Sequence, residues 1–279
     1  DLERFLGFFF PRVVDFGNVN QINTRLHEIN PKVILANMQR LYKACLKCLD
    51  QSDVSLFIGG DHSVGLATVA AVKAKSPNAI VVWVDAHADI NTPSQSETKS
   101  FHGMPMSFLS GLVNEPEFAG FNSQLMGCVG RNDVIYMGVR ELDEPEKHNL
   151  SATGFHVHTA TDIKSFGASE LLKKSLAHLD PYGERPIHVS FDIDAMDPKY
   201  ASCTGVPVEG GLSLADVNQL GWVLQETGRV KSLDFVELNP ELASSQVDLQ
   251  QSMCALFHLV GGLFPYQDHY ERSLQSCIQ

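Results

Sequence analysis

Short apolar runs alternate with amphipathic stretches along almost the whole chain. Val54–Gly59 (VSLFIG), Ala79–Val84, Val134–Val139 (VIYMGV), Phe155–Thr159, Pro186–Ile193 (PIHVSFDI) and Val230–Glu237 are rich in β-branched and aromatic residues. Near-continuous apolar runs of that length read as strands buried on both faces. Val13–Gly17 is a further short strand candidate. Between the strands the apolar period lengthens. In Lys32–Leu49 the residues Val33, Leu35, Met38, Leu41, Leu46 and Leu49 form one helical stripe, and Pro31 stands at the start, where a missing N–H costs nothing. Ser63–Lys75, Ile163–Leu179, Ser213–Gln225 and Leu249–Leu263 also read as helices. So do a short segment from His102-Gly103 through Met106–Leu112 and Asp143–Leu150, the latter with acidic residues in its first turn. Thr92–Ser100 and Asp194–Gly211 are loops by composition.

Strand–helix alternation predicts βαβ units, hence a largely parallel sheet with helices on both faces, a three-layer α/β/α arrangement. No linker, repeat or shift of composition divides the chain, so residues 1–279 are expected to form one domain. In open parallel sheets, ligands bind beyond the carboxyl ends of the strands. Four strands here end in chemically reactive residues. Val54–Gly59 runs into Gly60-Asp61-His62-Ser63, and Ala79–Val84 runs into Asp85-Ala86-His87-Ala88-Asp89. Pro186–Ile193 carries Asp192 and leads to Asp194, and Val230–Glu237 ends in Glu237.

Each segment alone has an ordinary reading. Residues 85–89 would be an acidic loop at a strand end, and His62 a capping or packing residue. Taken together they are harder to explain that way, because buried carboxylates are costly without a cation or donors beside them. Alternation would place Asp85, His87 and Asp89 on one strand face, and Asp192 and Asp194 on another. His62, Asp85, His87, Asp89, Asp192 and Asp194 are two histidines and four carboxylates. They exceed what one hydrolytic ion needs and suit two ions sharing bridging carboxylates. The absence of thiolates and the weight of carboxylate favour Mn²⁺. Two such ions can share a water and lower its pKa, which implies metal-assisted hydrolysis.

Composition narrows the partners. The net charge of −12 argues against nucleic acid and anionic membranes and suits a cationic substrate or divalent metals. No apolar run reaches the length of a membrane-spanning helix. Six scattered cysteines fit a reducing compartment, so a cytoplasmic location is expected, with a targeting segment upstream of Asp1 left open. Cys45-x-x-Cys48 falls inside a helical pattern and reads as ordinary helix positions, and the Cys277-Ile278-Gln279 ending is one residue short of a prenylation box.

Gly59-Gly60-Asp61-His62-Ser63, Asp85-Ala86-His87-Ala88-Asp89 and Ser190-Phe191-Asp192-Ile193-Asp194 resemble the three signature segments of the ureohydrolase (arginase/agmatinase) family. Trp83–Pro93 and the run His102–Leu109 resemble the arginase branch more closely. The likeness covers about residues 54–265, specific at the motifs and looser between them. It implies a largely parallel sheet of about eight strands, two Mn²⁺ ions per subunit, and hydrolysis of L-arginine to L-ornithine and urea by a metal-bridging hydroxide. By resemblance, His62, Asp85, Asp89 and Asp192 hold one ion, and His87 with Asp85, Asp192 and Asp194 the other. His102 matches the cleft histidine that moves a proton, Asp194 a residue able to relay one, and Glu237 the acid that pairs with the guanidinium. Asn91 matches the family's pattern at the α-amino and α-carboxylate contacts, Asp143 and Glu146 match the residues that receive the α-amino group, and Ser96 and Thr98 stand where hydroxyls touch the α-carboxylate. A homotrimer is expected by resemblance only.

Three departures accompany the likeness. Lys99-Ser100-Phe101 replaces the usual Gly and Asn before the cleft histidine, and Val206 stands where arginases commonly carry Thr. Family members also usually open with an extra strand before the segment resembling Leu2–Asn18, so a sheet lacking its first strand is one expectation. The departures keep two alternatives in play: hydrolysis of another guanidino compound such as agmatine, and a non-catalytic arginase-like protein.

Overall fold

The computed structural model describes residues 2–19, 30–121 and 124–264. Asp1 and the Cys277-Ile278-Gln279 ending lie outside them. Six strands form one sheet among the described residues: β1 (Ser55–Ile58), β2 (Ile80–Val84), β3 (Val134–Val139), β4 (His156–Thr159), β5 (Ile187–Asp192) and β6 (Val230–Val236). Their order is β1-β6-β5-β2-β3-β4 and every pairing is parallel. The described residues thus supply six of the about eight strands expected. One candidate is corrected outright. Val13–Gly17 forms no strand; Val14 and Phe16 are exposed, Gly17 turns at φ 76°, and its N–H is taken by Asp15 Oδ1. β-Branched residues without a neighbouring edge to pair with do not make a strand.

Helices cover both faces. α2 (Pro31–Gln51), α3 (Val64–Lys75) and α4 (Pro105–Leu109) pack on one, burying Met38, Leu66, Val69 and Phe108 against Val81, Trp83 and Tyr136. α7 (Ala168–Leu179), α8 (Leu214–Thr227) and α9 (Gln246–Leu263) pack on the other, burying Leu172, Leu220 and Leu259 against Val82, Val189 and Phe235. β2 and β3 are buried along their whole length, which is why their sequences show no alternation. The single helix expected at Ile163–Leu179 is two, α6 (Ala160–Phe166) and α7, because Gly167 turns the chain at φ 84°. The helix expected through Leu112 ends at Leu109, after a 3₁₀ turn over Phe101–Gly103. α1 (Leu2–Leu6) was missed; its Phe5 packs on Phe9 and on Phe257 of α9. α5 (Glu144–Thr153) begins one residue after Asp143, which is its N-cap. No helix among the described residues is long and apolar enough to cross a membrane.

This topology places the chemistry. After β2 the chain moves to β3 and β4 on one side, and β5 leads to β6 on the other. β2 and β5 are neighbours at that switch, where adjacent connections leave in opposite directions and open a crevice. Asp85 follows β2 and Asp192 ends β5, so both reach that crevice.

Behind the crevice, α3 approaches β2 so closely that a Cβ on Gly65 would lie 2.7 Å from the Trp83 ring and 3.4 Å from His62 Cδ2. The ring is fully buried and has nowhere to go. Gly65→Ala should therefore destabilise the protein by about 1–3 kcal/mol, as overpacking does. Urea unfolding reads this as a lowered midpoint; an unchanged midpoint would show that the ring can move.

Candidate metal centre

Two turns, rather than strand alternation, build the centre. β2 ends at Val84, and Asp85 Oδ1 accepts the His87 N–H at 2.7 Å, curling residues 85–87 back on themselves. β5 ends at Asp192, whose Oδ1 accepts the Asp194 N–H at 2.8 Å as the cap of a 3₁₀ turn. Asp194 Oδ1 accepts the Ala86 N–H at 3.1 Å, tying the two turns together. The predicted residues converge, by Asx-type turns instead of the pleat.

The result is two groups that share Asp85. His62 Nδ1 lies 2.9 Å from Asp85 Oδ2, 3.1 Å from Asp89 Oδ2 and 3.1 Å from Asp192 Oδ2. His87 Nδ1 lies 3.1 Å from Asp194 Oδ2 and 3.5 Å from Asp85 Oδ1. Asp85 thus turns one oxygen toward each histidine. His62–Asp85–Asp192 and Asp85–His87–Asp194 each bring three ligand atoms within 4.8 Å of one another. Asp89 Oδ2 is buried and makes no hydrogen bond, although it faces His62. A buried, unbonded carboxylate oxygen beside three others fits a cation at that point.

The electrostatics agree. Burial, then the negative charges of Asp194 and Asp85, push Asp192 well above the usual carboxylate range. Burial and Asp85 raise Asp89 to about 7, and burial and Asp85 raise Asp194 to about 6. Burial opposes charge on His87, but its hydrogen bonds to Asp194 and Asp85 prevail and raise it to about 12. His62 is raised in the same way by Asp192, Asp85 and Asp89. Asp85 goes the other way: burial raises it, yet the two histidines hold it far below normal. The cluster offsets its negative charge by keeping protons.

Glu237 and His102 stand beside this cluster. Glu237 follows β6 at φ 63°, with its N–H on Gly60 O. Its Oε1 accepts from the His62 backbone N–H at 2.8 Å and from His102 Nδ1 at 3.0 Å. That bond to Glu237 raises His102 to about 9 against the effect of its burial. The Glu237 oxygen Oε2 takes no partner among the described residues.

Asn91, Asp143 and Glu146 form a second group. Asp143 caps α5, accepting the Glu146 N–H at 2.8 Å and Asn91 Nδ2 at 2.7 Å. Glu146 reaches back to the Asp143 N–H, completing a capping box. Burial, then Asp143, raises Glu146 to about 7, and Asn91 Oδ1 is buried without a partner. The remaining candidates stay within their own loop. Ser96 is buried with its Oγ on the Lys99 N–H, and the exposed Thr98 accepts from the Ser100 N–H. Val206 is half-exposed in the loop after β5.

Several supporting residues escaped the sequence reading. Trp83 stacks on His62 with ring centroids 3.9 Å apart and donates to Asp85 Oδ2 at 3.0 Å. Glu141 Oε2 lies 3.3 Å from His87 Nε2. Arg140 donates to the carbonyls of Asp194, Ala195, Met196 and Val208, gripping the loop that carries Asp194. Ser190 accepts from or donates to His62 Nε2 at 2.9 Å. A signal for Ser190 existed, namely His188 and Ser190 at alternate positions of an apolar strand. None existed for the direction of the Arg140 side chain.

A model of the arginase family matches residues 8–260. Arginase-1 of Bos taurus is 31% identical over 226 residues, spanning 80% of this chain and 70% of that protein. Mitochondrial Arginase-2 of Homo sapiens is 35% identical over 220 residues, spanning 78% of this chain and 62% of that protein. The crystal structure of arginase from Bacillus subtilis superposes with a TM-score of 0.80 at 27% identity, covering 91% of this chain and 85% of that one. Entamoeba histolytica arginase in complex with L-ornithine gives 0.76 at 31% identity, covering 87% and 81%.

Cation binding at the two groups must displace protons. Asp89 near 7 is mostly protonated at pH 6 and ionised at pH 8, and Asp194 near 6 titrates over the lower part of that interval. Protons therefore compete with the cation at pH 6 and withdraw by pH 8, so manganese should bind about tenfold or more tightly at pH 8. Calorimetric titration at the two pH values checks this; equal affinities would mean that these carboxylates are not ligands.

Proposed function

The chain belongs to the arginase family and is a hydrolase of the arginase type, and we propose that it hydrolyses the guanidinium group of L-arginine to L-ornithine and urea with two bound manganese ions. The observation that carries this reading is Asp85 presenting one oxygen to each of two histidine–carboxylate groups, with Glu237 hydrogen-bonded to the backbone of one of those histidines. His62 and Asp89 would hold one ion, His87 and Asp194 the other, with Asp85 and Asp192 shared. The donor set is all carboxylate and imidazole, which suits Mn²⁺. When bound, the pair supplies Lewis-acid activation of water.

The chain's own groups do the rest. Glu237 would bind the guanidinium through its uncommitted Oε2, a planar, charge-assisted pairing that fixes the orientation of the reacting carbon. Asp194 would take the proton lost by the attacking water and pass it on. His102, held at about 9 by Glu237, carries a proton at neutral pH and would give it to the departing amine nitrogen. At the other end of the substrate, Asn91 Oδ1, Asp143 and Glu146 offer acceptors, which is the environment an ammonium group needs. The Entamoeba histolytica relative, whose structure holds L-ornithine, supports the same product class.

A second reading is favoured by one observation: Lys99, the cation of this loop, spends its ammonium on the carbonyls of Pro93 and Ser94. Less is committed there to an α-carboxylate, and agmatine, which lacks one, is the alternative substrate.

Urea release from L-arginine and from agmatine, with manganese-loaded protein, tests both readings. Arginine is expected to turn over faster; faster agmatine turnover would reverse the assignment, and no urea from either would overturn the proposed activity. Glu237→Gln should lower kcat/KM for arginine by about 100-fold, on the order of 3 kcal/mol, because it removes the charge facing the guanidinium. A loss under about threefold would remove Glu237 from the substrate site.

A further inference from the structure

Beneath the metal-ligand cluster lies a string of polar side chains that hydrolysis does not use. His188 and Ser190 on β5, Ser232 and Asp234 on β6, and Thr68 on α3 are all completely buried. In the register of the two strands His188 faces Ser232, and Ser190 faces Asp234. Asp234 is a carboxylate in the middle of the molecule. Its Oδ2 gathers Thr68 Oγ1 at 2.6 Å, Ser190 Oγ at 3.0 Å and His188 Nε2 at 3.1 Å, while its Oδ1 has no partner. His188 Nδ1 pairs with Ser232 Oγ at 2.8 Å. An interior carboxylate is expensive unless donors surround it, and here three buried donors do.

The directions of these bonds give the string a role. A carboxylate only accepts, so the single hydroxyl proton of Ser190 is committed to Asp234. The Ser190 oxygen must then accept from His62 Nε2, 2.9 Å away. The Nε2 of His62 therefore carries a proton, and Nδ1 is the nitrogen left to shed its own when a cation displaces it. Nδ1 is the atom that faces Asp85, Asp89 and Asp192. A serine alone would leave the tautomer undecided, since a hydroxyl can donate or accept. Asp234 removes the ambiguity. His87 is handled differently: its Nε2 meets Glu141, which is largely exposed, and nothing in this string touches it.

The geometry points to Asp234 as a positioning residue that acts through Ser190 to hold His62 in the Nε2–H tautomer, and so sets the cation affinity of the His62 group without affecting that of the His87 group. The inference rests on the two-cation reading of the cluster. Orienting groups of this kind change metal affinity by about 10–100-fold.

Manganese titration by calorimetry, with electron paramagnetic resonance at two equivalents of metal, tests it on the full chain. The native protein is expected to bind two ions and give the spectrum of a coupled pair. Asp234→Asn and Ser190→Ala should each weaken one ion by about 10–100-fold, leave the other within about twofold, and yield the spectrum of an isolated ion. Ser190→Thr, which keeps the hydroxyl, should restore the coupled spectrum. Ser190→Ala is nearly isosteric and decides the matter if Asp234→Asn does not fold. Two unchanged affinities in Ser190→Ala would overturn the inference and leave the two-metal reading standing, and equal weakening of both ions would reduce the string to core packing. A native protein that binds less than one ion would overturn that reading and this inference together.

Discussion

Four carboxylates buried at the ends of two neighbouring strands are the constraint on which the rest of the structure depends. Asp85 and Asp89 follow β2, and Asp192 and Asp194 lie at the end of β5. Each is almost completely shielded from water. Like charges that close cannot all ionise without compensation, and the cluster answers with two imidazoles and retained protons. Much of the surrounding architecture serves to hold those charges in place: Trp83 donates to Asp85, backbone N–H groups of residues 86, 87 and 194 donate to the carboxylates, and Arg140 secures the Asp194 loop through its carbonyls. Such an arrangement is costly in an empty core and would be favourable around a divalent cation.

Backbone strain is concentrated at the same place. Among the described residues, Asp89, Lys99 and Glu237 are the non-glycine positions with positive φ, at 51°, 58° and 63°. All three lie in segments that frame the crevice. Conformations of this kind cost about 1–3 kcal/mol each and persist where surrounding contacts over-determine them. Glu237 shows how. Its N–H is held by Gly60 O, and its Oε1 by the His62 N–H and His102. The strained turn puts a carboxylate on the backbone N–H of His62, so its position beside the cluster is fixed by the fold and not by a flexible side chain.

The layered α/β architecture and the strand-end placing of the six candidate ligand residues were legible in the sequence because both depend on local pattern. Apolar runs mark buried strands, and a strand-end aspartate or histidine is conspicuous wherever it appears. What was not legible depends on distant parts of the chain meeting. The pairing of Asp85 with both histidines, the grip of Arg140, and the string from Thr68 through Asp234 to His62 join residues up to 166 positions apart. Asp234 sits between Leu233 and Phe235 and gives no sign of a partner, since its neighbours in space come from α3 and β5. Even the correct convergence of Asp85, His87 and Asp89 had the wrong geometric cause, because the strand stops before the motif and a side-chain-capped turn takes over. Val13–Gly17 failed for the complementary reason, as strand-forming residues had no edge to join.

The two ends of the crevice are held with very different firmness, and this bears on what the site can recognise. At one end the four aspartates and His62 are buried and backed by the sheet. At the far end, residues 92–100 bond largely among themselves: Lys99 Nζ folds onto Pro93 O, its N–H onto Ser96 Oγ, and Ser100 onto Thr98. A loop that satisfies its own donors with its own side chains can change sequence without disturbing the sheet. On the proposed reading, the hydrolytic centre would be held by the core, and the group carrying the guanidinium would be met by the loop. Relatives built on one metal site can diverge in substrate at small structural cost, and in this chain the substitutions Lys99, Ser100 and Val206 fall in the parts of the structure where that divergence is cheapest.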